Sequence, residues 1–162
     1  MKRAIFTMML VVSAMVIISC SPRVNNLQTG VVHSEIFPGG NKVNSNNFTG
    51  EVWVNMLVPT DTIFNTQMGN VTFAPGVRSN WHSHPSGQIL LVTEGVGYYQ
   101  EKGQPVKLMR KGDVVKCRPN VIHWHGASPG KSVTHIAISP NMEKGGVVWL
   151  EKVTDEEYNN IK

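Results

Sequence analysis

Trp81-His82-Ser83-His84-Pro85-Ser86-Gly87-Gln88, answered further along by His123-Trp124-His125, is the stretch on which the reading of this chain turns. Side chains alternate along a β-strand, so residues two apart share a face. His82 and His84 therefore point together, as do His123 and His125, and if the two strands are neighbours in a barrel their imidazoles converge. Pro85-Ser86-Gly87 suits a bend that returns the Gln88 side chain to the same centre. Neutral imidazoles joined by an amide oxygen suit a divalent first-row ion such as manganese, iron, cobalt, nickel or zinc. A set of three nitrogens and one oxygen leaves coordination positions open for a reactant.

Outward from this stretch, short apolar or alternating runs cover residues 51–58, 69–73, 89–93, 97–101, 104–109, 113–117 and 132–138. Turn residues separate them at Ala74-Pro75-Gly76, Glu94-Gly95, Lys102-Gly103, Lys111-Gly112 and Ser128-Pro129-Gly130. β-Branched runs at this spacing predict an all-β barrel or sandwich, with Gly95-Val96-Gly97 read as a tight turn. Past Pro140, residues 146–150 suit a last strand. Thr154 followed by Asp155-Glu156-Glu157 has the N-cap and acidic first turn of a short C-terminal helix.

Gly76, five residues, His82-Ser83-His84, three residues, Gln88, six residues and Gly95 resemble the first motif of the cupin superfamily, with Gln88 in place of the usual glutamate. Gly112-Asp113 through Arg118-Pro119-Asn120-Val121-Ile122-His123 resembles the second, with Arg118 where proline is usual and Asn120 where glycine is. The likeness is closest to small single-domain cupins that act as manganese-dependent (R)-hydroxynitrile (mandelonitrile) lyases, relatives of which are described as carboxymuconolactone-decarboxylase-like. It rests on Trp81-His82-Ser83-His84-Pro85, Gly87-Gln88, His123-Trp124-His125-Gly126 with His135 downstream, and the ending Val153-Thr154-Asp155-Glu156, and it runs from about Phe48 to Tyr158. The resemblance implies a double-stranded β-helix (jelly-roll) barrel with a short C-terminal helix, and a homodimer. It also implies one divalent ion per domain, held by His82, His84, Gln88 and His123, with manganese first and iron, nickel, cobalt or zinc as alternatives.

Replacing the carboxylate by Gln88 leaves a divalent site at net +2 rather than +1. That favours anionic ligands and Lewis-acid chemistry over oxygen activation. His125, on the face of His123, and His135, alternating with Ala137 and Ser139 along one strand, are the candidate acid and base. Val71, Phe73 and Ser139 are assigned to the substrate pocket. Trp81 and Trp124, adjacent to ligand positions, alternate away from the metal, and Cys117 reads as a buried thiol rather than a nucleophile. The expected function is a lyase acting on a small carbonyl or cyanohydrin-like compound. Its rivals are a metal-dependent dioxygenase or isomerase, or a non-catalytic ligand-binding protein of the envelope.

At the N-terminus, Lys2 and Arg3 precede an apolar run that ends in Ile17-Ile18-Ser19-Cys20, a pattern similar to a bacterial lipobox. Residues 1–19 are accordingly expected to be a lipoprotein signal peptide and residues 20–47 a lipidated Cys20 with a flexible tether, part of which suits an edge strand. Residues 48–160 are then the cupin domain. Acyl chains on Cys20 would hold the protein to a membrane, most simply the outer membrane on its periplasmic side. The formal charge of +4 falls to +2 once Lys2 and Arg3 are removed, and the basic residues are scattered, so no nucleic-acid footprint is present. His33, in the tether, reads as solvated.

Overall fold

The structure, a computed structural model, describes residues 36–159, so the expected signal peptide, Cys20 and His33 lie outside the described residues. Ten strands follow in order: β1 Asn41–Lys42, β2 Val52–Val58, β3 Thr66–Phe73, β4 His82–Ser83, β5 Gln88–Glu101, β6 Lys107–Arg110, β7 Val114–Cys117, β8 His123–Ala127, β9 Val133–Pro140 and β10 Val148–Trp149. A 3₁₀ turn at Met142–Lys144 precedes β10, and helix α1, Asp155–Asn159, ends the domain. Every pairing is antiparallel. This is the all-β jelly-roll barrel with a short C-terminal helix that the sequence led us to expect.

One sheet has the order β1-β2-β3-β9-β5, with β7 on the far side of β5; the other runs β5-β8-β4-β10, with β6 also on β5. Strand β5 thus belongs to both sheets. Its first half pairs with β9 and β7, and its second half with β8 and β6. The sequence reading placed a turn at Glu94-Gly95, and the structure corrects it. Gly95 takes a φ of +76° and the register slips between Val92 and Glu94, yet pairing continues on both sides. The result is a bulge that bends the strand from one sheet into the other instead of reversing it. A Cβ on Gly95 would stand 2.0 Å from the Ser132 carbonyl oxygen, so this crossing requires glycine.

Of the stretch read as tether, Asn41 and Lys42 pair with Val54 and Trp53 as the edge strand β1, and Pro38 accepts a hydrogen bond from Asn55 Nδ2 at 3.2 Å. Alternation divides the interior into two cores. Phe73, Leu90, Val92, Tyr99, Met109 and Val133 fill the barrel, while Trp81 and Trp124 pack outside the second sheet with Val153 and Tyr158. Both tryptophans therefore face away from the histidines beside them, and every residue of β8 is buried because both of its faces are covered.

The C-terminal cover is locked by Arg78. Its Nε and Nη2 donate to the Val153 carbonyl at 3.2 and 3.0 Å, its Nη2 also donates to Asp155 at 2.6 Å, and its guanidinium lies 4.5 Å from the Tyr158 ring centre. Tyr158 Oη in turn donates to the Ala127 carbonyl at 2.7 Å. Thr154 and Glu157 exchange backbone-to-side-chain hydrogen bonds at 3.1 and 2.8 Å, a capping box that starts α1 where the sequence placed it.

Candidate metal centre

Register brings the histidines together. His82 in β4 pairs directly with His123 in β8, and their ring centres lie 4.3 Å apart. His125, one pleat further along β8, is 5.2 Å from His82, ring to ring. Potential ligand atoms of His82, His123 and His125 all fall within 4.8 Å of one another, a buried triad capable of holding a metal ion. His84 leaves β4 into the following turn, with its ring 5.3 Å from His82 and 5.7 Å from His123. Its carbonyl accepts from the N–H groups of Gly87 and Asn120 at 3.1 and 2.9 Å, which ties both histidine strands to one turn. Gly87 has a φ of +78°, and a Cβ there would stand 2.6 Å from the Cys117 carbonyl oxygen. Only glycine turns the chain this tightly and delivers Gln88 to the start of β5.

The ring hydrogens identify which nitrogens are free. His82 Nδ1 lies 2.9 Å from the Asn80 carbonyl, and His123 Nδ1 lies 2.9 Å from the Val121 carbonyl. A carbonyl takes only a donor, so Nδ1 carries the hydrogen in both rings and Nε2 keeps its lone pair, the usual backing of a metal-bound histidine. His123 Nε2, both nitrogens of His84 and Gln88 Oε1 are buried with no hydrogen-bond partner. Leaving such groups unmet costs about 1–3 kcal/mol each. A divalent ion satisfies nitrogen and amide-oxygen donors together, so this donor set fits one.

Beside these residues lies a cavity of about 150 Å³, lined by His82, His84, Gln88 and His125 at one end and by Phe48, Val54, Met56, Val71, Phe73, Ala137 and Trp149 along its walls. Ser139 and Gln67 also reach it. Val71, Phe73 and Ser139, assigned to the pocket from the sequence, are thus all at its surface. His135 is fully buried behind the lining, stacked on Phe73 with ring centres 5.7 Å apart and edge-on to His125 at 4.9 Å. Neither of its nitrogens has a partner.

Comparison with known proteins gives this arrangement a family. The cupin domain profile matches residues 69–138. An (R)-mandelonitrile lyase from Granulicella tundricola is 43% identical over 111 residues, which cover 68% of this chain and 85% of that protein. The chain belongs to the cupin family. Among solved structures, a cupin-like protein from Thermotoga maritima shares 52% identity at a TM-score of 0.77, over 79% of this chain and 97% of that one. A DMSP lyase from Ruegeria pomeroyi, 14% identical at a TM-score of 0.56 over 64% of this chain and 54% of that one, shares the fold.

Electrostatics keep the centre of this cupin uncharged. Burial, seconded by the neighbouring His123, holds His82 well below the ordinary imidazole range and His84 at about 4. Burial also lowers His123, and burial with the adjacent His135 and His82 lowers His125 well below that range. His135 is held at about 4 by burial alone. At neutral pH all five rings carry free lone pairs, as ligands and bases must. Cys117 is buried, and its thiol is pushed up to about 12, chiefly by that burial, so it stays protonated and inert.

Sequence reasoning missed Trp149, Gln67 and Gly69. Trp149 pairs with His82 across β10 and β4 and sits 4.9 Å from its ring, yet nothing local in Val147-Val148-Trp149 announces a partner so far away in sequence. For Gln67 and Gly69 the signal was available: they alternate with Val71 and Phe73, which had been assigned to the pocket.

Proposed function

We propose that this cupin is a metal-dependent lyase acting on a small carbonyl or cyanohydrin-like compound. The observation that carries the reading is the convergence of unpartnered donors, His84, Gln88 and His123 beside His82, next to a mainly apolar cavity that His82, His84 and Gln88 line. The likeness to an (R)-mandelonitrile lyase supports the reaction class. One divalent ion, manganese first, would be held by His82, His84, Gln88 and His123, leaving His125 free. Bound there, it would supply Lewis acidity to an oxygen or an anion, at a site whose ligands are all neutral.

The chain's own residues supply the proton. His125 is the spare histidine that lines the cavity, and burial keeps it neutral. It takes the hydroxyl proton of a cyanohydrin as the bond between the carbinol carbon and the nitrile carbon breaks. The oxygen becomes the aldehyde carbonyl, cyanide leaves with the bonding pair, and the proton returns to it as hydrogen cyanide. His135, edge-on to His125 at 4.9 Å, packs against its ring from behind and holds it in place. Phe48, Phe73 and Trp149 exclude water from the organic part of the substrate.

Metal analysis beside a cleavage assay with mandelonitrile tests this reading. Wild type and His125→Ala should hold near-stoichiometric ion, while His82→Ala and His84→Ala lose it; cleavage should fall by at least about 10²-fold in all three variants. Wild-type protein that takes up no ion on reconstitution removes the metal centre. Bound ion without cleavage removes the lyase assignment.

A further inference from the structure

The sheet that floors the cavity is organised in rungs, and one rung is polar. Gln67 on β3 is in register with Ser139 on β9. On β5, Ile89 is in register with Ile138, which sets Gln88 beside Ser139. Gln88, Ser139 and Gln67 therefore form a row across three adjacent strands, and all three reach the cavity. Neighbouring strands lie about 4.8 Å apart, so Ser139 is about 5 Å and Gln67 about 10 Å from the backbone of Gln88.

The next rung toward His135 is made small. Ala137 stands opposite Gly69, and a Cβ built on Gly69 comes no closer than 3.7 Å to any neighbour. This pair opens the hollow, whose volume of about 150 Å³ matches that of cavities able to take a benzene-sized guest.

Neither polar group beyond Gln88 is used up by the fold. The Ser139 hydroxyl has no hydrogen-bond partner among the described residues. Gln67 spends one amide hydrogen on Thr60 Oγ1 at 3.2 Å, and its carbonyl oxygen accepts none there. An apolar hollow thus has metal donors at one end and an unspent hydroxyl and amide along the same rung.

We propose that Ser139 and Gln67 form a hydrogen-bonding subsite for a second polar substituent. On this assignment, which rests on the lyase reading above, the substrate class is a compact, ring-sized aldehyde or cyanohydrin that also bears a hydroxyl group remote from the reacting carbon. That hydroxyl donates to Gln67 Oε1 and accepts from Ser139 Oγ, while the ring lies over Gly69 and Ala137.

The test is calorimetric titration of the metal-loaded protein with benzaldehyde, 3-hydroxybenzaldehyde and 4-hydroxybenzaldehyde. Wild type should bind one hydroxylated aldehyde at least about tenfold more tightly than benzaldehyde, the lower end of what two net hydrogen bonds are worth. In Ser139→Ala/Gln67→Leu that ratio should fall to about one, with circular dichroism and metal stoichiometry showing that the variant is folded and loaded. Equal binding of all three aldehydes by wild type overturns the subsite and leaves the lyase reading standing, as does a preference that survives the double substitution. Failure of every aldehyde to bind loaded wild type overturns the lyase reading and the subsite with it.

Discussion

Acidifying the metal-free domain will destabilise it, and His135 makes the loss assignable. This side chain is fully buried, has no hydrogen bond at either nitrogen, and is held at about 4 against an ordinary value of 6.5. Between those two values the unfolded chain binds a proton that the native state refuses. Stability is therefore complete above the unfolded value, falls as the pH drops toward 4, and loses no more to this group once both states are protonated. The interval corresponds to about 3 kcal/mol, a large share of the roughly 5–15 kcal/mol that holds a typical domain together. Urea unfolding of chelator-treated wild type and His135→Leu, repeated from about pH 7 to about pH 4, isolates the contribution. His84, also held at about 4, titrates in both proteins and cancels in the difference. Wild type should lose about 3 kcal/mol more than the variant over that range. Equal losses would refute the argument and mean that His135 is protonated, or bonded, within the native fold.

Gln88→Glu places a carboxylate where a buried amide oxygen has no partner. The variant should hold a divalent ion more tightly in chelator competition and bind cyanide more weakly by titration, because the net charge at the centre falls by one; unchanged affinities for both would count against Gln88 as a ligand. Tyr158→Phe removes the 2.7 Å hydrogen bond to the Ala127 carbonyl at the second core. A loss of about 1–3 kcal/mol in urea unfolding with full metal stoichiometry is expected, and a neutral result would show that the tail does not depend on that bond.

The barrel was legible because its signals are local. Alternating β-branched runs, the glycines at the turns and the Thr154 cap each act within a few residues, and the two His-x-His pairs follow from the two-residue period of a strand. Where a feature depends on distant pairing, the sequence was silent or misleading. Gly95 reads as a turn because glycine with positive φ usually makes one; only the continuous partners on β9 and β8 reveal a bend within a strand. The donors around His82 were legible as a group, but their relative placement was not. His125 comes into the tightest triad because β4 is short and pairs with β8 only through His82 and His123, a register that no local pattern encodes. Trp149 belongs to the site for the same reason, through the pairing of β10 with β4.

The latch formed by Arg78, Val153, Asp155 and Tyr158 also sets an order of assembly during synthesis. The sheet of β2, β3, β5 and β9 is complete once Pro140 has been made. Strand β4, which carries His82, gains its outer partner only with Trp149, and Trp81 and Trp124 gain their cover only with Val153 and Tyr158. A growing chain therefore carries every histidine of the centre before it carries the pieces that close over them, since Trp149, which lines the cavity and packs on His82, and the cover of Val153 and Tyr158 emerge last.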